Sequence, residues 1–542
     1  MRSPRIAVFA AFTFLYLAVG VYLALGVGYL QGDALSRVAD TRAALLSRDP
    51  HLAAIGFIFT PLTALAQLPA VGLSEWFPPL TRWGLTAVLV SAPAMAGAVV
   101  QVYSLTVDRG CRAWFTWAVT LVFGLHPMIV YYGANGMSEA LFVLFVVWAV
   151  RRLARWTSTD DVHELMVAGF ALGMAYLARY DALAASAAAT LVVVVVSWRR
   201  SRRPEVAVLD GLLVVGPTAL AFLTWAATSW LVTGSALAQF SSRYGNAAIL
   251  EQSGGGSTGG SAALAFSAAE IVVLAPALAV VAGWCAVLAV RRRDPEPLAA
   301  LVLVAVLAFA ALTYLRGMTF PFLRFYISAV PLVVVFAVFL TPRSGGVHAR
   351  RPGPRAADRN RDEVGRTPAI PAAALVLLLA GLPISAVGML SPTLSQEQHA
   401  LRVAIAPDAG EHTAELRLRQ EAIIASFDTE RRIADYLDSL DLGEGAVLMD
   451  TVHGFPIIAS TARPDRFVIP SDRDFVSILN DPAAHGVRFL LTVPAEGRGT
   501  SDALNLRYPT IHENGAELGT LEFEVPNSGD DRPTWRLWRV YG

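Results

Sequence analysis

Eleven apolar runs of about twenty residues recur along this 542-residue chain, and no other feature limits its fold so tightly. A helix of roughly 20 apolar residues crosses the ~30 Å hydrocarbon core of a bilayer. The runs lie at about 5–30, 80–106, 113–133, 137–155, 162–178, 181–198, 205–231, 263–290, 297–315, 322–341 and 369–390. A twelfth stretch, 51–73, carries Pro61 and Pro69 and follows a polar segment. Composition agrees. The chain is 55% hydrophobic and 16% charged, with mean hydropathy +0.51, whereas soluble domains run near ~45–50% apolar and ~25% charged. A soluble globular enzyme and a disordered chain are thereby excluded. Net charge is +0, so no global basic field points to nucleic acid. The two cysteines, Cys111 and Cys285, build neither a disulfide framework nor a metal cluster.

Arginine placement orients the spans. Every basic residue is arginine. With the N-terminus inside and 51–73 lying on the surface, 21 of the arginines in residues 1–390 fall in inside loops and 8 fall outside. Counting 51–73 as a span would put the later basic loops outside, against the positive-inside rule. The expectation is therefore a polytopic helical domain over 1–390, with an outer surface segment at 31–79. Residues 342–368 form a basic, Pro- and Gly-rich cytoplasmic loop. The first helix is too long for a cleaved signal peptide. The expected location is the plasma membrane, with the N-terminus cytoplasmic.

The remainder, 391–542, lies outside and changes character. Residues 1–390 hold 29 basic and 19 acidic residues; 391–542 hold 14 and 24. Residues 414–440 read as one long amphipathic helix. Short apolar runs at 446–450, 465–469, 487–493, 518–525 and 534–540 read as strands, with a helix at 472–480. The expectation is an extracytoplasmic α/β domain with a small, partly parallel sheet. It carries no dinucleotide fingerprint and no metal spacing.

In such a chain, ionisable groups at the ends of spans are functional candidates. They gather on the outer side: Asp33, Asp40, Glu139, Arg179, Asp181, Arg243 and Arg324. Asp33 has two readings, an N-cap for a helix running to about Leu46 and a general base for a hydroxyl. Asp40 lies two turns on and shares its face, and Arg37 at i+4 could pair with Asp33. Glu139 reads as helix capping or as a contact to acceptor or sugar. Arg179 in LARYDAL and Arg324 in FLRFYISAVPL read as phosphate ligands or as snorkelling side chains. His126, before Pro127, reads as a satisfied neutral histidine, and Tyr131 and Tyr132 as membrane-interface residues. The loop 250–262 (LEQSGGGSTGGSA) reads as a mobile connector or as a loop that orders over a substrate, and not as a P-loop.

These patterns resemble the GT-C superfamily of integral membrane glycosyltransferases, over residues 5–341. The resemblance rests on GDALSRVAD after the first helix, the surface segment RDPHLAAIGFIFTPLTALAQLP, the turn HPMIVYYGANGMSEAL, LARYDAL, and LRFYISAVPL, which is similar to protein O-mannosyltransferase-like members. It implies an inverting transfer from a polyprenyl-phosphate sugar, such as mannose or arabinose, to a hydroxyl of a glycan, glycolipid or protein. Asp33 would be the general base. Arg324, with Arg179 or Arg243, would stabilise the departing phosphate, and Glu139 would orient the acceptor. Asp40 and Asp181 join the substrate-binding set. A monophosphate leaving group requires no cofactor, and a divalent metal is not indicated. Two departures stand out. Phe59-Thr60-Pro61-Leu62-Thr63-Ala64 replaces a Trp-x-Pro-Leu-Pro-His element, and Ala34 follows Asp33 where mannosyltransferases often carry Glu. Two other classes stay open. A lipid or sugar transporter draws on the helix-breaking prolines Pro93 and Pro217. A non-catalytic assembly protein would tolerate loss of Asp33.

Overall fold

The computed structural model describes residues 2–242, 244–252, 259–343, 369–396, 398–405 and 414–541. Helix forms at each of the eleven apolar runs. Among the described residues, seven helices are long and apolar enough to cross a membrane, or nine if each of two bent pairs is one span. The difference from eleven has a local cause. Helix Glu139–Thr159 carries Arg151, Arg152 and Arg155 in its second half, and Val162–Ala178 is only 17 residues long. The bundle exposes many large apolar side chains, among them Leu220 at 68% and Leu231 at 75%. A density of this kind suits an apolar solvent, and the chain is a multi-pass membrane protein.

Proline sets the bends. Ala113–Gly124 and Pro127–Ala134 meet at 58°, and Gly260–Leu274 and Leu278–Arg292 at 79°. Pro127 and Pro276 sit at these breaks. Proline removes a backbone donor and forces its predecessor away from helical geometry. His126 before Pro127 has ψ 131°, and Ala275 before Pro276 has ψ 70°. Pro93 and Pro217 behave otherwise: helices Leu85–Arg109 and Pro204–Thr233 continue unbroken through them. The expected breaks that favoured a transporter are absent there.

Residues 51–73 give a single 3-10 turn, Leu52–Ile55, and the ten-residue helix Leu62–Val71. Ten residues rise about 15 Å, half the ~30 Å hydrocarbon thickness. The stretch does not reach across. The basic loops between spans converge at one end of the bundle. Arg109 binds Asp294 and Glu296, both at 2.5 Å, and Arg343 binds Glu296 at 2.7 Å. Most of the expected loop, 344–368, lies outside the described residues.

The opposite end is covered by the C-terminal sheet domain. Its strands are β1 (Val447–Met449), β2 (Phe467–Val468), β3 (Phe489–Thr492), β4 (Gly519–Val525) and β5 (Trp535–Val540), in the order β2-β1-β3-β5-β4. β1 pairs in parallel with β2 and β3; β5 is antiparallel to β3 and β4. Strands β1 to β3 are apolar and wholly buried, as parallel strands covered on both faces are. On edge strand β4, Glu522 and Glu524 pair with Arg539 (2.9 Å) and Arg536 (2.7 Å) of β5.

The expected single helix over 414–440 is two, Ala414–Ile424 and Asp428–Ser439. Between them Phe427 leaves helical geometry at φ −124° and buries its ring against Phe455 at 5.7 Å. Asp428 and Glu430 then open the second helix with negative charge in its first turn. The domain is tied to the bundle through helix Gly32–Leu46. Arg42 donates to the carbonyls of Ile458 (2.8 Å) and Ala459 (3.1 Å). Arg48 binds Asp472 at 3.1 Å, and Arg82 binds Asp435 at 2.6 Å.

Candidate active site

A cavity of about 970 Å³ lies where the bundle meets the sheet domain. Its walls are helix Gly32–Leu46, segment 51–60, the turn after Ala178, the stretch 318–325, and the sheet domain. The first apolar helix ends in a π turn, Tyr22–Val27, and Gly28 at φ 81° reverses the chain. A buried network then fixes the next turn: Gln31 donates to Tyr29 at 2.9 Å and to Tyr131 at 2.5 Å. Tyr131 and Tyr132 are thus core residues, 4% and 0% exposed, instead of an interfacial belt.

Gln31, not Asp33, is the N-cap of helix Gly32–Leu46, so the capping reading of Asp33 falls. Asp33 turns its carboxylate into the cavity, where Oδ2 accepts from Arg324 Nη2 at 3.0 Å. Its side chain is 40% exposed; that of Arg324 is 9%. Burial pushes the Asp33 carboxyl up, but the charges of Arg324, Arg37 and Arg498 outweigh it and hold the group below its ordinary value. Asp33 is therefore ionised at neutral pH. Arg37 does not take the expected carboxylate. Its Nη1 donates to the Asp33 carbonyl at 3.0 Å, and its guanidinium lies over the Phe59 ring at 4.0 Å. Phe59 belongs to the altered surface motif.

Behind Asp33 the predicted residues form one ionic chain. Glu139 Oε1 accepts from Arg179 Nη1 at 2.6 Å and lies 3.9 Å from Arg324 Nε. Arg179 Nε donates to Asp181 Oδ2 at 2.7 Å. Glu139 is only 1% exposed. It reaches this position because Gly136 makes the preceding turn at φ 77°, against Ala87; a Cβ there would come within 2.5 Å of the Ala87 Cβ. Arg324 sits in a 3-10 turn, Leu323–Tyr326, between the rings of Phe322 (4.8 Å) and Phe325 (5.4 Å).

Asp40 lines the same cavity seven residues after Asp33, as their shared face required. Burial raises its carboxyl to about 8, against the pull of Arg37. Two carboxyls on one helix face are thus held in opposite protonation states at neutral pH. Arg243 lies outside the described residues, as do 253–258 of the glycine-rich loop. The segment before that loop docks on the sheet domain: Tyr244 donates to Asp450 at 3.2 Å and Gln252 to Ser501 at 2.6 Å. His126 is buried, close to Leu274 O (3.2 Å) and Ser385 Oγ (3.1 Å). Among the described residues, no cluster of His, Cys, Asp or Glu is arranged to hold a metal ion. Sequence reasoning missed Arg498 and Arg532, which line the cavity from the sheet domain. No local motif marks them; only the docking of the domain brings them there.

No protein-family model matches the chain, and no curated protein matches it. Its structure overlays that of ArnT from Cupriavidus metallidurans bound to undecaprenyl phosphate, with a TM-score of 0.52 at 13% identity, over 99% of this chain and 98% of that one. The chain has a GT-C-like fold. A looser overlay, TM-score 0.41 at 13% identity, is found with the archaeal oligosaccharyltransferase AglB from Archaeoglobus fulgidus in complex with an inhibitory peptide and a dolichol-phosphate. It covers 96% of this chain and 73% of that one. Within the GT-C-like fold, the Asp33 helix and the Arg324 turn meet on one wall of the cavity, beneath the sheet domain.

Proposed function

We propose that this protein is an inverting membrane glycosyltransferase, moving a sugar from a polyprenyl-phosphate donor to a hydroxyl of an envelope glycan, glycolipid or protein. One observation carries the reading: an ionised carboxylate, Asp33, meets a guanidinium, Arg324, at 3.0 Å on the wall of a large cavity. A carboxylate removes a hydroxyl proton, and a fixed guanidinium neutralises a departing phosphate. The fold shared with ArnT, whose structure holds undecaprenyl phosphate, supports a lipid-phosphate donor.

In this reading the donor phosphate docks on Arg324, with Arg179 beside it. Glu139 and Asp181 hold Arg179 from behind and fix its fork. The phosphate competes with Asp33 for Arg324. Asp33 then loses a cation that depresses its basicity and becomes a better base once the donor is bound. Asp33 takes the acceptor proton, the acceptor oxygen attacks the anomeric carbon from the face opposite the phosphate, and the carbon–phosphate-oxygen bond breaks. Asp40, protonated, offers a hydrogen bond to a sugar oxygen. The arginine-rich end of the bundle is placed in the cytoplasm, which sets the cavity and the sheet domain on the extracytoplasmic side of the plasma membrane.

The test uses wild type and Asp33→Asn in nanodiscs, with radiolabelled polyprenyl-phosphate mannose or arabinose and a crude envelope extract. Label passing to the extract with wild type alone establishes the transferase and names the sugar. Equal transfer by the variant would remove Asp33 from the chemistry.

A further inference from the structure

Arg498 and Arg532 touch no carboxylate: Asp33 and Asp450 act on Arg498, and Glu430 on Arg532, only through space. Both arginines are half-buried and line the cavity from the sheet domain. Among the described residues neither makes a salt bridge or a side-chain hydrogen bond; Arg532 only stacks over Phe427 at 4.7 Å. A Cβ on Gly32 would lie 4.0 Å from Arg532 Nη2, which places that guanidinium at the residue before Asp33. Beside them His453 is 8% exposed, and its Nδ1 lacks a hydrogen-bond partner. Burial and the two arginine charges hold it at about 3, neutral, so it adds a dipole and not a third cation.

Two neighbouring guanidiniums that line one cavity with no carboxylate in contact leave N–H donors for an anion to complete. Arg324 and Arg179 already have carboxylates on the opposite wall, and Asp33 lies between the two groups. An anion held by Arg498 and Arg532 therefore sits on the sheet-domain side of Asp33, away from the place given to the donor phosphate. We propose that Arg498 and Arg532 form a second anion subsite that binds a carboxylate or phosphate carried by the acceptor, so that the substrate is an acidic glycan or glycolipid. The proposal rests on the transferase reading above and adds the acceptor's charge to it.

The test has a binding arm and a transfer arm. In the first, wild type, Arg498→Gln and Arg532→Gln in zwitterionic nanodiscs are saturated with polyprenyl phosphate, and binding of radiolabelled inorganic phosphate is measured by equilibrium dialysis. Wild type should bind phosphate, and each variant should bind it about 10-fold more weakly, the effect of one lost charge-assisted contact. Arg498→Lys should keep part of the binding, which a merely misfolded domain would not restore. Unchanged affinity in the variants overturns the subsite. In the second arm, envelope glycans separated by anion exchange into neutral and acidic pools are offered as acceptors. The acidic pool should take the label, lose this capacity when its carboxyls are reduced and its phosphates removed, and show a raised acceptor KM with either variant. A neutral pool that serves equally well, or a raised donor KM in its place, overturns the acceptor assignment. Phosphate binding that depends on both arginines, with no transfer to any pool, would instead sink the transferase reading and leave the anion subsite standing.

Discussion

On the bundle wall of the cavity, Arg324 and Arg179 each face a carboxylate within 3.0 Å, while on the sheet-domain wall Arg498 and Arg532 face none among the described residues. The first wall is electrically balanced before any ligand arrives. Asp33, Glu139 and Asp181 offset Arg37, Arg179 and Arg324, and the ionic chain fixes their geometry. Such a wall is preorganised, and a ligand that enters it must displace a partner already present. On the second wall Arg498 and Arg532 have no carboxylate in contact among the described residues, so a ligand there breaks no ion pair. Both walls are built from arginine in about equal number, so composition does not distinguish them. What distinguishes them is whether a carboxylate is held in direct contact.

The largest effect expected on this contrast comes from its centre. Asp33→Asn should lower transfer by about 10²–10⁴-fold, the usual contribution of a general base, with the fold kept and only a small loss of Tm. Loss of fold in place of activity would make Asp33 a structural partner of Arg324. Next, Arg324→Gln should lower kcat by about 10²–10³-fold, as loss of one donor to a developing oxyanion does. Lysine at the same position should recover part of it, since a point charge lacks the planar fork. A rise in KM with kcat unchanged would show that Arg324 only binds the donor and does nothing more in the transition state.

The bundle wall was legible in the sequence, and the sheet-domain wall was not, for a physical reason. Asp33, Glu139, Arg179, Asp181 and Arg324 all sit at the ends of apolar spans, where a charge is conspicuous against its surroundings. Once the spans are oriented, their ends must meet on one side. Arg498 and Arg532 lie in a polar domain where an arginine has no contrast, and their approach to Asp33 depends on tertiary docking through Arg42 and Arg48. The strands were legible as short apolar runs. The break at Phe427 was not, because helical periodicity continues across it and only burial against Phe455 decides it. Asp33 was ambiguous between cap and base, since the competing cap, Gln31, is chosen by a buried hydrogen-bond network with Tyr29 and Tyr131.

Smaller effects probe how tightly the bundle wall is coupled. Glu139→Gln, Arg324→Gln and the double variant should be non-additive in unfolding free energy by about 0.5–3 kcal/mol, as residues of one network are. Additivity would show that the 3.9 Å approach of Arg324 to Glu139 transmits nothing.

The smallest effect concerns Asp40, and its sign is fixed by linkage. The folded protein holds the Asp40 proton until about pH 8, whereas an unfolded chain releases it near pH ~3.9. Between those values the folded state binds more protons than the unfolded state, so this residue makes stability fall as pH rises. Asp40→Asn removes that dependence. The variant and wild type should melt alike near pH 4, and the variant should gain steadily in Tm up to about pH 8, beyond which the difference stays constant. Asp33, held below its ordinary value, contributes the opposite slope: its stabilisation is present above the unfolded value and is lost as pH falls through the lower folded one. Across pH 3–9, Asp33→Asn should therefore melt below wild type above about pH 4 and approach it as pH falls, whereas Asp40→Asn should match wild type near pH 4 and melt above it toward pH 8. Parallel curves would mean that the two carboxyls share one environment, and that the contrast along this helix face is not what keeps one ionised and the other protonated.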